Sequence, residues 1–341
     1  MKRALLILLG VAVVSVPSVL AGKPTPPPPT GPWDIAYTSQ TQRTGDLTLM
    51  QANGADKYVV YTVPDVPHYP RMPDWSHDGK YISFTVMRIE GRVMQLATRK
   101  TCVLYSPHGT SPQPMEFHPS FGEGVGDGHY VVAFTNYNGK YDLYIAEFTF
   151  QEGNCAVQWI ENVSGSELGE WGAAWSPIGT AQSTQLATIL STGQYGATLR
   201  IYDIVMDANG HLGQAGTFVD YPLDSSLYIW NGLGGGAGAT LQWSPDPNVL
   251  GCMMGWSPDG GVTKFYDIYS IDISTNPPTL TNLTNTEADE YYFDFRRNGD
   301  GIVAGNEDGI FLLPAAGGST CIAPLERRKW PQEPAWNPTR W

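Results

Sequence analysis

The sequence predicts an all-β fold: a six-bladed β-propeller of four-stranded blades, closed by N- and C-terminal strands that share one blade. Three observations carry that prediction. The composition is rich in turn formers and poor in charge. An aromatic, a tight turn and an alternating apolar strand recur as a unit six times. The first copy lacks its opening strand, and the last stops just after supplying one.

Of 341 residues, 42% are hydrophobic and only 16% charged, with 38 Gly and 27 Pro. That is enough apolar material for a core, and it favours short strands joined by many turns over long charged helices. There are 33 acidic against 20 basic side chains, a net charge of −13. Phosphate and anionic membrane surfaces require a basic face, so nucleic acid is excluded as a partner, as is an anionic membrane surface.

In chain order, Lys2 and Arg3 precede an apolar run from Ala4 to Val16, and Val19-Leu20-Ala21 offers small residues at the two positions a signal peptidase inspects. Residues 1–21 are read as a signal peptide. The run is shorter than the roughly 20 residues that span a bilayer, so no stable membrane insertion is expected after cleavage. Its removal leaves 33 acids against 18 bases and places the protein in the periplasm or outside the cell. Residues 22–32 hold Pro24, Pro26, Pro27, Pro28 and Pro29, a polyproline-prone linker without backbone donors. The propeller is expected over residues 33–341.

The clearest repeat is Pro73-Asp74-Trp75-Ser76-His77-Asp78-Gly79-Lys80-Tyr81-Ile82-Ser83-Phe84. Asp-Gly supplies the backbone angles of a tight hairpin, and the alternation on either side makes one face of the sheet apolar. Weaker copies begin at Phe117-His118-Pro119, Trp175-Ser176-Pro177, Trp243-Ser244-Pro245-Asp246, Phe295-Arg296-Arg297-Asn298-Gly299 and Trp336-Asn337-Pro338. The anchors Trp75, Phe117, Trp175, Trp243, Phe295 and Trp336 therefore stand 42, 58, 68, 52 and 41 residues apart. A four-stranded blade takes about 40–45 residues, so the longer intervals need loop insertions. Further strands are expected over 140–146 and 265–271.

Trp33 to Thr38 reads as a second strand, followed by a third at Asp46–Gln51 and a fourth at Tyr58–Thr62. The absent inner strand is expected from Pro334-Ala335-Trp336 at the far end, which hides an otherwise exposed edge.

The Trp-Ser-Pro-Asp-Gly-Lys unit resembles the TolB-type propeller repeat, also called WD40-like or PD40. The likeness spans Trp33 to Trp341. It is specific at Pro73–Phe84 and degenerate at Phe117 and Phe295, where the Ser-Pro-Asp-Gly turn is lost. The resemblance implies six blades, in agreement with six anchors. Trp256-Ser257-Pro258-Asp259-Gly260 lies 13 residues after Trp243 and is read as a turn inside the fifth blade. Proteins of the TolB type also carry an N-terminal α/β domain, whereas here only the Pro-rich linker precedes the blades, so their role in the Tol system is not carried over.

The chain shows no Gly-x-Ser-x-Gly elbow, His-Glu-x-x-His, phosphate loop or Cys-x-x-Cys. Its six His lack metal-ligand spacing. His77 reads as turn chemistry, His118 as either a channel residue or a satisfied structural one. The Gly232–Gly238 stretch reads as an insertion, and Asp207-Ala208-Asn209-Gly210 as a hairpin turn rather than a calcium loop. Cys102, Cys155 and Cys321 fall near the starts of outermost strands in three blades and Cys252 in a second strand. Mostly unpaired, buried thiols are therefore expected, with Cys102–Cys155 in adjacent blades the one pair to test.

What remains is the surface. Handover loops between blades carry Glu167 and Glu170, then Glu287, Asp289 and Glu290, then Arg327, Arg328 and Lys329. Loops between second and third strands add Asp259, Glu307 and Asp308. The leading reading is a non-catalytic propeller that binds a protein or cell-envelope polymer, with Glu287, Asp289, Glu290, Asp259, Glu307, Asp308, Arg327, Arg328 and His118 as its binding set. No cofactor is expected beyond the Ca²⁺ that such a channel has room for. The alternative is a polysaccharide-active, lyase-like enzyme with its site in the channel, which needs a base and a cation or Arg there.

Overall fold

The computed structural model describes residues 33–40, 44–64, 69–86, 90–104, 113–119, 128–151, 154–164, 166–180, 182–191, 197–224, 241–256, 265–285, 289–296, 298–306, 308–314, 319–324 and 333–337. The expected leader and linker, the Gly232–Gly238 insertion and the Ser257–Gly260 turn lie outside these residues.

Every described element is a strand. Ile35–Gln40 (β1), Gly45–Met50 (β2) and Tyr58–Val63 (β3) begin the first blade. The second blade is Pro70–Trp75 (β4), Tyr81–Val86 (β5), Glu90–Gln95 (β6) and Thr101–Leu104 (β7). The third is Gln113–Phe117 (β8), His129–Tyr137 (β9), Tyr141–Gln151 (β10) and Asn154–Asn162 (β11). Gly169–Gly179 (β12), Ser183–Ser191 (β13), Ala197–Met206 (β14) and Leu212–Pro222 (β15) form the fourth. The fifth is Leu241–Trp243 (β16), Val249–Trp256 (β17), Phe265–Asp272 (β18) and Thr279–Asn282 (β19). Glu290–Phe295 (β20), Gly301–Asn306 (β21), Gly309–Pro314 (β22) and Thr320–Pro324 (β23) form the sixth, and Glu333–Trp336 (β24) returns to the first.

Each sheet has four antiparallel strands, in the order β24-β1-β2-β3 for the first blade. The innermost strands β24, β4, β8, β12, β16 and β20 touch in that sequence and back to β24, which closes a six-bladed ring. Closure occurs as expected: Ile35 pairs with Trp336 and Tyr37 with Pro334. Asn337 N donates to Asp34 O at 2.7 Å, and its side chain donates to Trp33 O.

The turn between first and second strands explains the motif. In the second blade, Gly79 N donates to Ser76 O at 2.8 Å, with Gly79 at φ +68°. Ser76 Oγ donates to Asp78 Oδ1 and accepts from Tyr81 N. Asp207-Ala208-Asn209-Gly210 is likewise a hairpin turn, with Asp207 Oδ1 accepting from the amides of Asn209 and His211.

The core differs from the expectation of one apolar face per sheet. Strand β5 is buried along its whole length. Its residues alternate between two seams: Tyr81 packs with Phe117 and Tyr130 of the third blade, Ile82 and Phe84 with Ala36 and Leu49 of the first. A blade is walled by a neighbour on each side, so both faces of its inner strands are interfaces. Six buried clusters result, one per seam.

The cysteine expectation is corrected. Cys102 and Cys155 form a disulfide with Cα atoms 5.4 Å apart. The third blade's outer strands are long, and the far end of β10 leans over the second blade: Phe150, paired with Cys155, contacts the Tyr81 ring at 4.9 Å. This carries Cys155 onto β7. Cys252 is free and buried as expected, whereas Cys321 is free but exposed.

Candidate functional site at the channel mouth

The six anchors that set the repeat also line one cavity. Trp75, Phe117, Trp175, Trp243, Phe295 and Trp336 surround a space of about 300 Å³ where the axial channel opens among the first-to-second-strand turns. Five of them end their inner strands, and β12 alone runs past its anchor. His77, Pro119 and Pro245 from the turns, and Pro177 near the end of β12, add to the cavity's lining.

The residue before each anchor is Asp74, Glu116, Ala174, Gln242, Asp294 and Ala335 in turn. Strand alternation sends an anchor and its predecessor to opposite seams. Anchors point back to the previous blade: Trp75 Nε1 donates to Ala335 O at 3.3 Å and Trp175 Nε1 to Glu116 O at 3.2 Å. Carboxylates point forward, each accepting from the next anchor's main-chain N–H. Asp74 takes that of Phe117 at 2.8 Å, Glu116 that of Trp175 at 3.1 Å, and Asp294 that of Trp336 at 2.7 Å. Three acids thereby form a layer beneath the aromatic ring.

Burial dominates their protonation. It pushes Asp294 up to about 7, against the opposing hydrogen bonds from the Trp336 and Phe295 amides. Burial and then the Asp294 charge hold Asp74 well above the usual range, and burial and the Asp74 charge do the same for Glu116. Glu116 Oε2 and Trp336 Nε1 are buried without a hydrogen-bond partner among the described residues. Such atoms are costly in a folded protein unless something else satisfies them.

Below the acids the channel narrows to about 30 Å³ between Met72, Met115, Leu241 and Phe293. Its other end is occupied by a buried ion pair, Arg71 Nε to Glu333 Oε1 at 2.7 Å, with the Tyr292 hydroxyl also bonded to Arg71. Met72 stands at φ +50°, where the bulge after Arg71 turns its amide toward Glu333.

Of the binding set read from the sequence, His118 directly follows the anchor Phe117. It is buried against the Trp175 ring at 4.5 Å, and burial drives its imidazole down to about 3, so it is neutral at physiological pH. Asp289 Oδ1 accepts from Tyr266 N, and Glu290 is the buried first residue of β20. Asp308 is exposed in the β21–β22 turn, its N–H bonded to Asn306. Asp259, Glu287, Glu307, Arg327 and Arg328 lie outside the described residues. The acids under the anchors were missed in the sequence, although each stands one position before an aromatic already picked out. No group of His, Cys, Asp and Glu suited to a metal ion occurs among the described residues.

These features define a six-bladed β-propeller with an aromatic-rimmed, acid-floored channel mouth. Its architecture is TolB-like. It superposes on TolB from Acinetobacter baumannii with a TM-score of 0.56 and 19% identity over 89% of this chain, which spans 66% of that protein's length. A TolB candidate from Agrobacterium tumefaciens matches with a TM-score of 0.52 and 13% identity, over 90% of this chain and 99% of that one. At these identities the likeness concerns the fold. No protein-family profile and no curated protein matches the chain.

Proposed function

We propose that this is an exported, non-catalytic propeller that binds a protein or cell-envelope component at the mouth of its channel, holding a basic group of the partner over Asp74, Glu116 and Asp294. The orphaned Glu116 Oε2 carries the reading: it is a buried acceptor facing a cavity. A cationic donor would satisfy it and draw the acid layer into its charged form. The aromatic rim adds cation–π attraction for such a group. Export is supported by the leader-like residues 1–21 and by the Cys102–Cys155 bridge, since disulfides persist in oxidising compartments. The lyase alternative is less well supported: among the described residues Arg296 stacks over the Trp336 ring but is bridged to Asp300, and the buried Arg71 is engaged by Glu333.

Four of the six anchors are Trp, so intrinsic fluorescence reports on the site. Short basic, neutral and acidic peptides and acidic polysaccharides should be titrated against the protein. Basic peptides should change the emission, and Glu116→Gln should weaken them at least tenfold. No response to any basic peptide would sink the proposal. New unsaturated ends in the polysaccharide samples would establish the lyase reading instead.

A further inference from the structure

A second cavity, of about 390 Å³, opens between the fifth and sixth blades and shares Ser244, Pro245 and Phe295 with the channel mouth. That volume falls within the range of roughly 300–1,000 Å³ typical of ligand pockets. Its other walls include Val249, Leu283, Ile302 and Leu313.

The repeat explains why this seam is open. Ser76 N donates to Tyr81 O, His118 N to Val131 O, Ser244 N to Val249 O and Arg296 N to Gly301 O, so Tyr81, Val131, Val249 and Gly301 are equivalent positions. In the seam between the second and third blades, Tyr81 meets Tyr130 at 4.4 Å and Phe150 at 4.9 Å and fills the space. Between the fifth and sixth blades, Val249 stands where Tyr81 would be and Asp300 where Tyr130 would be. Gly301 cannot restore the volume, because a Cβ there would lie 2.4 Å from Leu313 O.

The polar groups around the pocket are engaged within their own turns and strands. Ser244 Oγ donates to Asp246 O at 3.0 Å, Asp246 Oδ1 accepts from Asn248 N, and Ser270 Oγ donates to Thr281 O. Sugar hydroxyls placed along Val249, Leu283, Ile302 and Leu313 would lose water without gaining partners, which is costly. An aliphatic or aromatic group would lose nothing of the kind and would bury apolar surface.

We infer that this seam is an apolar subsite for a bulky side chain of the same partner whose basic group occupies the channel mouth, which makes that partner a polypeptide rather than a polysaccharide. The inference rests on the proposed function, and two peptides separate the failure of each. N-acetylated, C-amidated peptides with one Arg, with and without a Phe one to three residues away, are titrated by fluorescence. The amides of Gly299 and Gly301 are followed by NMR. The Phe peptide should bind at least tenfold tighter and shift both amides. Val249→Phe, which fills the pocket, should bring the two peptides to the same affinity. Leu283→Ser, at a half-exposed position that tolerates polarity, should reduce the gain and guards against misfolding of the first variant.

Equal affinities for wild type, or a gain that survives Val249→Phe in a folded protein, would overturn the subsite. If neither Arg peptide binds, the channel reading fails. N-acetylphenylalanine amide alone then decides the pocket: shifts at Gly299 and Gly301 support it, and their absence overturns it.

Discussion

The carboxylate of Asp294 accepts the main-chain N–H of Trp336 at 2.7 Å, so an acid of the sixth blade holds the anchor of the first. This bond lies at the seam where the ring closes. Its neighbours Asp74–Phe117 and Glu116–Trp175 repeat the arrangement further round. Asp294→Ala should leave a buried amide unsatisfied and cost about 1–3 kcal/mol. Asp294→Asn keeps an acceptor and should cost less. Urea unfolding of the two variants checks the order; equal stability of alanine variant and wild type would show that the bond is dispensable.

Closure itself is tested by deleting residues 331–341. The deletion removes Trp336, buried against Ile35 and Val303, and a buried aromatic is worth roughly 3–5 kcal/mol. It also strips β1 of its ladder to β24 and exposes a strand edge. Against a domain stability of about 5–15 kcal/mol, the truncated chain should aggregate or melt far below the intact protein in a thermal scan.

The ring was legible in the sequence because Trp, Phe and the Asp-Gly turns are strong local signals. The repeat unit left over at Trp336 pointed to its pairing with the strand that follows Trp33, which the β1–β24 ladder shows. The acid layer was not legible for a geometric reason. Reading a strand as one apolar and one solvated face assigns Asp74, Glu116 and Asp294 to water, whereas in a propeller both faces are walled and the residue before the anchor faces the next blade. The Cys102–Cys155 bridge was only half legible, since nothing local in the sequence shows that β10 leans over the neighbouring blade.

Protonation of the acid layer should be visible in stability. Asp294 rises from 3.8 to about 7 on folding, so the folded protein holds a proton that the unfolded chain releases between those values. Stability from this group is full below pH 4 and is lost as pH rises through about 7. Asp74 and Glu116, raised by burial, act in the same direction. His118, driven down to about 3 by burial, opposes them below about pH 6.5, so the melting temperature should fall from pH 6.5 to pH 8, and Asp294→Asn should flatten that slope. A basic ligand that needs the charged form should bind more tightly at pH 8 than at pH 6. A melting temperature that climbs over this range would contradict the assignment.

The four thiols should differ in reactivity, and alkylation counts them. Cys321 is exposed and should react with iodoacetamide in the native protein. Cys252 is fully buried, and burial pushes its thiol up to about 12, so it should react only after unfolding. Cys102 and Cys155 are bridged and should need a reductant as well. Mass spectrometry of protein produced in an oxidising compartment should thus show one adduct in the native state, two in denaturant and four in denaturant with reductant. The bridge spans 53 residues of sequence, for which chain entropy gives about 4 kcal/mol. The Cys102→Ser, Cys155→Ser double variant should lose stability on that scale while keeping the propeller's far-ultraviolet spectrum, because the staple joins outer strands and the ring is held by its inner ones. Four adducts in denaturant without reductant would show that the outer strands of the second and third blades are not bridged.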